Sequence, residues 1–177
     1  MWLLALSLLT ADSAQQFKVP LTPSESLFVQ SEGTGEPVVL VPGLFGSAFG
    51  FRKVIPLLVE AGYHAVVIEP LGIGQSSRPP NADYSLLAQS DRIAAVIDSL
   101  GLRDAVIMAH SLGGAMAFRV AYRHPELIRG LVSIEGGPTE HATTPAFRRA
   151  IHFANLLRIF GGGGIVRIRS LPLLFIC

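Results

Sequence analysis

The stretch Ala105-Val106-Ile107-Met108-Ala109-His110-Ser111-Leu112-Gly113-Gly114 constrains this chain more than any other, because it joins an apolar run to a helical pattern through a turn of small residues. Residues 105–109 have the character of a short buried strand, entered after breaks at Gly101 and Asp104. Ala115, Phe118, Val120 and Ala121 follow at helical spacing as far as His124-Pro125, where the proline stops the helix. A serine at a sharp strand-to-helix turn has a strained backbone, and the residues two positions to either side must be small to avoid a clash. Ala109 and Gly113 meet that need, and Gly114 lets the helix lie close to the strand. The helix N-terminus brings free N–H groups and partial positive charge to Ser111 Oγ, where an anion would be stabilised. Ser111 is therefore the candidate nucleophile. The competing reading is a buried serine in an ordinary strand-helix turn; the order of strand, tight turn and helix favours a nucleophile elbow.

On these residues the chain resembles the α/β-hydrolase superfamily over about residues 27–137, and two further segments fit in the expected order. Pro37-Val38-Val39-Leu40-Val41-Pro42-Gly43-Leu44-Phe45-Gly46 looks like the family's oxyanion-hole loop, with Pro42 where His is usual. The resemblance implies that the backbone N–H groups of Leu44 and Leu112 hold the oxyanion of a tetrahedral intermediate, a task for which main-chain donors need no particular side chain. Without the elbow, the same loop reads as a Gly-rich turn that opens a helix. Glu69-Pro70-Leu71-Gly72-Ile73-Gly74-Gln75-Ser76 is similar to the family's acidic, glycine-spaced loop, with Glu69 in place of the commoner Asp. This loop reads as structural: the glycines permit a tight path, and Ser76 or Ser77 can satisfy loop amides. It lacks the third glycine of a phosphate-binding loop, and no helical pattern starts directly after it.

The rest of the chain alternates in the same sense. Strands are expected over 26–31, 37–41, 64–68 and 130–134, and helices over 51–61, closed by Gly62, and over 85–100, closed by Gly101. Strands alternating with helices predict an α/β fold with a mainly parallel sheet and helices on both faces, lacking the family's C-terminal strands. Leu44, Glu69, Ser111 and Glu135 all follow strands at their carboxyl ends, where such sheets place their sites. With 177 residues, half of them hydrophobic, one sizeable core is possible. A net charge of +1 without a basic block gives no sign of a nucleic-acid footprint, and no nucleic-acid partner is expected. The single cysteine, Cys177, cannot staple the fold.

Residues 1–14 pair an apolar run, Met1 to Thr10, with small residues at Ala11, Ser13 and Ala14; this resembles a signal peptide and predicts export, and it is too short to span a bilayer as a helix. No Lys or Arg precedes the run, so a cytoplasmic protein with an N-terminal helix is the alternative. Residues 15–137 are read as the N-terminal part of the hydrolase core. Residues 138–177 are read as the start of a cap, with an amphipathic helix over 145–160, and an irregular tail.

Serine needs a base within reach and usually a carboxylate to orient that base. In the family these come from loops after two further strands, which have no counterpart before Cys177, so the chain is expected to be about the first two-thirds of a longer hydrolase. Glu135 is the one local candidate for the acid. His110 would point away from Ser111 Oγ, His124 ends a helix, His64 opens a strand, and His141 and His152 fall in the expected cap. No ligand spacing for a metal emerges, and no cofactor is expected. The resemblance implies a serine hydrolase acting on a small-molecule carboxylic ester or related acyl bond. Two alternatives stay open: an acyltransferase, carbon-carbon hydrolase or cofactor-free peroxidase on the same scaffold, and an inactive fragment that binds a partner.

Overall fold

A computed structural model of the chain describes residues 14–138. The expected signal segment, the cap helix over 145–160, the tail, His141 and His152 lie outside the described residues, apart from Ala14 and Pro138 at their borders.

The elements run β1 (Gln15–Pro20), β2 (Ser26–Glu32), β3 (Glu36–Val41), a 3-10 turn (Ala48–Phe51), α1 (Val54–Glu60), β4 (Tyr63–Glu69), α2 (Leu86–Ser99), β5 (Ala105–His110), α3 (Leu112–Arg123) and β6 (Ile128–Ile134). They form one six-stranded sheet in the order β1-β2-β4-β3-β5-β6. Strands β4, β3, β5 and β6 pair in parallel, while β2 lies antiparallel to both β1 and β4.

The central strands are continuous apolar runs because both faces of the sheet are covered. Along β3, Val38 and Leu40 join Ala65, Val67, Phe28, Phe51 and Ile55 of α1 in one cluster. Val39 and Val41 point the other way, with Val66, Ile68 and Ile107, into a larger cluster completed by Ile93, Val96 and Ile97 of α2 and by Met116 and Val120 of α3. Burying each such aliphatic side chain contributes about 1.5–3 kcal/mol.

Two elements depart from expectation. β1 carries no readable pattern, since only Val19 of its six residues is buried; it is a surface hairpin strand whose partner is β2. The helix expected over 51–61 divides into the 3-10 turn and a shorter α1, whose Pro56 sits in the first turn, where a missing N–H breaks no helical bond. The connection from β3 leads to β4 on one side and that from β5 to β6 on the other, so the carboxyl ends of β3 and β5 flank the point where strand order reverses. Ligands bind open α/β sheets at such a point.

Candidate active site

Ser111 is the single residue between β5 and α3, and it adopts φ 53°, ψ −121°. A non-glycine residue there is strained by about 1–3 kcal/mol and persists only where its surroundings hold it. Ser111 N–H donates to Ile134 O at 2.9 Å, and Gly114 N–H donates to Ser111 O at 2.9 Å. The neighbouring glycines are required by close approach. A Cβ on Gly113 would lie 2.5 Å from Val41 O, and one on Gly114 would lie 2.6 Å from Ser133 Oγ and 3.0 Å from Gly136 Cα. Among the described residues the Ser111 side chain makes no capping bond to the helix.

The loop after β3 lies directly on this turn. A Cβ on Gly43 would come within 2.9 Å of Ser111 Cβ, 3.0 Å of His110 O and 3.4 Å of His110 Nδ1. Leu44, half-buried, follows in a tight turn closed by Gly46 N–H donating to Gly43 O at 2.9 Å. Among the described residues neither Leu44 N–H nor Leu112 N–H donates to a protein acceptor. Two backbone donors thus remain uncommitted on the two loops that meet at Ser111.

Glu69 closes β4 with its side chain buried. Its carboxylate accepts from Ala48 N–H at 2.7 Å and from Gln75 N–H, bracing the loop after β3 against the loop after β4. Gly74, at φ 53°, has no room for a Cβ because the Glu69 carboxylate occupies that space. Ser76 Oγ donates to Glu69 O at 2.6 Å and accepts from Phe28 N–H at 2.8 Å, and Ser77 Oγ accepts from Ser26 N–H at 2.8 Å. Glu69 is committed to the backbone, in line with its reading as a structural residue. The buried Gln89 amide, which carried no sequence signal, does the same from α2: Oε1 accepts from Leu71 N–H at 3.0 Å and Nε2 donates to Leu71 O at 2.8 Å.

The three described histidines go elsewhere. His110 Nε2 lies 3.5 Å from Glu135 Oε2, both side chains being largely exposed, so the local candidate acid lies beside the histidine that precedes Ser111 in sequence. Glu135 itself holds φ 53° immediately after β6. His124, at the end of α3, lies 3.4 Å from Asp91 and 3.7 Å from Glu126. His64 Nε2 shares a 2.7 Å hydrogen bond with Ser31 Oγ at the amino end of β4, and burial lowers its pKa. None bonds to Ser111 Oγ. Among the described residues no group of three or more His, Cys, Asp or Glu is placed to hold a metal, and no helix is long and apolar enough to cross a membrane.

A family model described as alpha/beta hydrolase fold matches residues 36–159. The chain belongs to the α/β-hydrolase family. Within that family it is 32% identical over 117 residues to bifunctional epoxide hydrolase 2 of Sus scrofa, covering 66% of this chain and 21% of that protein. It is 34% identical over 99 residues to lipase 3 of Moraxella sp. (strain TA144), covering 55% of this chain and 31% of that lipase. A crystal structure of a haloalkane dehalogenase from Bradyrhizobium elkani superposes with a TM-score of 0.64 at 28% identity, covering 70% of this chain and 42% of the dehalogenase. This α/β-hydrolase chain therefore spans between about a fifth and two-fifths of the length of these three relatives, less than the two-thirds expected from its sequence. The matched part includes the strand-elbow-helix unit and the loop after β3.

Proposed function

We propose that the protein is a serine hydrolase acting on a carboxylic ester or related acyl bond of a small molecule. The observation that carries this reading is the left-handed Ser111 between β5 and α3, with Gly43 packed against its Cβ and uncommitted N–H groups at Leu44 and Leu112. Ser111 Oγ attacks the carbonyl carbon, and its proton passes to a base outside the described residues. The C=O electrons move onto oxygen, and the Leu44 and Leu112 amides bind the resulting oxyanion. Collapse expels the alkoxide, which takes the proton; water then repeats the sequence and frees the acid. The relatives' printed names divide among epoxide hydrolase, lipase and haloalkane dehalogenase. A serine at the turn favours acyl chemistry of the lipase kind, because a serine ester of a carboxylic acid is readily hydrolysed. Residues 1–14 add the proposal that the protein is exported.

The test is turnover of short-chain p-nitrophenyl esters by the product of the complete coding region. Ser111→Ala should lower kcat by a factor on the order of 10³ or more. Unchanged turnover would remove Ser111 from the mechanism. A second reading, an inactive remnant that binds a partner, is favoured by one observation: no described histidine reaches Ser111 Oγ. Measurable turnover that depends on Ser111 eliminates it, and partition of product toward added alcohols would identify an acyltransferase.

A further inference from the structure

The end of β6 supports Ser111 from behind, and one side chain there lacks a partner. β6 pairs with β5 so that Ser133 stands beside Ala109. Leu131, two residues earlier on the same face of β6, packs on the cluster that contains Met116 and Val120 of α3, so Ser133 points toward that helix. Its Oγ is buried and has no hydrogen-bond partner among the described residues. A buried hydroxyl in that state has lost its hydration without compensation, and each such group in a folded chain calls for a reason. Alanine would fill nearly the same space without that loss.

The surroundings of the hydroxyl supply the reason. A Cβ on Gly114 would lie 2.6 Å from Ser133 Oγ, and one on Gly136 would lie 2.9 Å from it. The Cβ on Gly136 would also lie 2.6 Å from Ser111 O and 3.0 Å from Gly114 Cα. Ser111 N–H donates to Ile134 O at 2.9 Å, and the left-handed Glu135 separates that carbonyl from Gly136. The turn at Ser111 therefore rests on the end of β6 at Ser133, Ile134 and Gly136. Ile134 and Gly136 act through their backbones, whereas Ser133 acts through its side chain.

The geometry points to Ser133 as a positioning residue for the reaction at Ser111. Its hydroxyl, set against Gly114, fixes how far the N-terminus of α3 stands from β6. This inference rests on the nucleophilic role proposed for Ser111. Gly114 N–H is bonded to Ser111 O, so Ser111, Leu112 and Gly114 shift together. A smaller side chain at 133 lets the first turn of α3 settle toward β6, and a larger one lifts it. Either change displaces Ser111 Oγ and Leu112 N–H relative to Leu44 N–H, which is carried by the separate loop after β3, and the two donors then converge less well on one oxyanion. The unpaired hydroxyl thus lowers stability while it fixes reaction geometry, a compromise that functional sites commonly make.

Ester turnover and thermal unfolding of the product of the complete coding region test this together. Ser133→Ala should raise the thermal midpoint, because the unpaired hydroxyl is gone. The same variant should lower kcat about threefold to tenfold at unchanged KM, a part of the roughly 100-fold effect of a full ångström of displacement. Ser133→Thr, which adds a methyl group against α3, should lower kcat further and lower the midpoint as well. Ala105→Val overpacks the fully buried start of β5, at the other end of the same strand pair, and should lower the midpoint while leaving kcat at the parent value. Ser133→Ala that is more stable and fully active would overturn the inference, by making the serine a filler of space. A joint fall of midpoint and kcat in that variant would also overturn it, by making the hydroxyl a structural partner. So would a loss of kcat in Ala105→Val as large as that in Ser133→Thr. Ser111→Ala, assayed alongside, separates the two levels: parent-like turnover there overturns the proposed reaction itself, whereas an inactive Ser111→Ala with parent-like kcat in the Ser133 variants overturns the role of Ser133 alone.

Discussion

The two ends of the sheet are built to different standards. At the carboxyl end, Phe45, Ser111 and Glu135 hold left-handed backbone after β3, β5 and β6, and Ser133 Oγ is buried without a hydrogen-bond partner among the described residues. Among the described residues the one left-handed non-glycine residue at the amino end is Asp104, in the turn before β5. There the polar groups are paired: Leu102 N–H donates to Ile97 O, Ala105 N–H to Leu127 O, and His64 meets Ser31. One sheet thus carries its strain and its uncommitted donors where three strands end together, and an ordinary hydrogen-bonded rim where they begin. Strain concentrated at one end and supported from behind is what the role proposed for Ser111 requires.

The largest effect at the carboxyl end should come from Gly43→Ala. The added methyl meets Ser111 Cβ and His110 O, so the loop carrying Leu44 N–H must move away from the serine. Ester turnover measured as kcat/KM should fall about 100-fold, since displacing an oriented group by about an ångström has that effect, while stability drops by about 1–3 kcal/mol. A smaller effect should follow Glu69→Gln. The amide retains one acceptor but turns an N–H₂ toward either Ala48 N–H or Gln75 N–H, leaving a buried donor unpaired at a cost of about 2–3 kcal/mol in urea unfolding. Full stability in that variant would show that Glu69 does not brace the loop.

The amino end should show the smallest effect, and only with pH. Burial lowers the His64 pKa below 6.5, so the unfolded chain binds that proton more readily than the folded one. Its contribution is therefore fully present above the unfolded value and is lost as pH falls from about 6.5 through the folded pKa. His64→Gln, which cannot titrate, should flatten the fall in stability between about pH 7 and pH 5 relative to the parent chain. An unchanged slope would place the acid sensitivity elsewhere.

Much of this organisation is legible in the residues. Val38 to Val41 and Ala65 to Ile68 declare central strands, because a run apolar on both faces must be covered on both. The small residues around Ser111 declare the turn, because each glycine sits where a methyl would strike backbone or side chain. β1 was not legible: five of its six residues are exposed or nearly so, and its place is set by pairing with β2 instead of by burial. The bracing by Gln89 was hidden because a glutamine within a helical pattern reads as a solvent residue, whereas this one faces Leu71 across the core. Phe45 was hidden because sequence shows an aromatic beside a glycine and not the sign of φ. The approach of Glu135 to His110 depends on how two strand ends converge, which no local pattern encodes.

If the strained carboxyl end serves Ser111 as a nucleophile, that serine must react with an electrophile that mimics an acyl carbonyl. The most direct measurement is exposure of the native protein to a fluorophosphonate, followed by mass mapping of the labelled peptide. A single phosphonyl adduct is expected on the peptide containing Ser111, absent from Ser111→Ala. No adduct at Ser111 in folded protein from the complete coding region would contradict it.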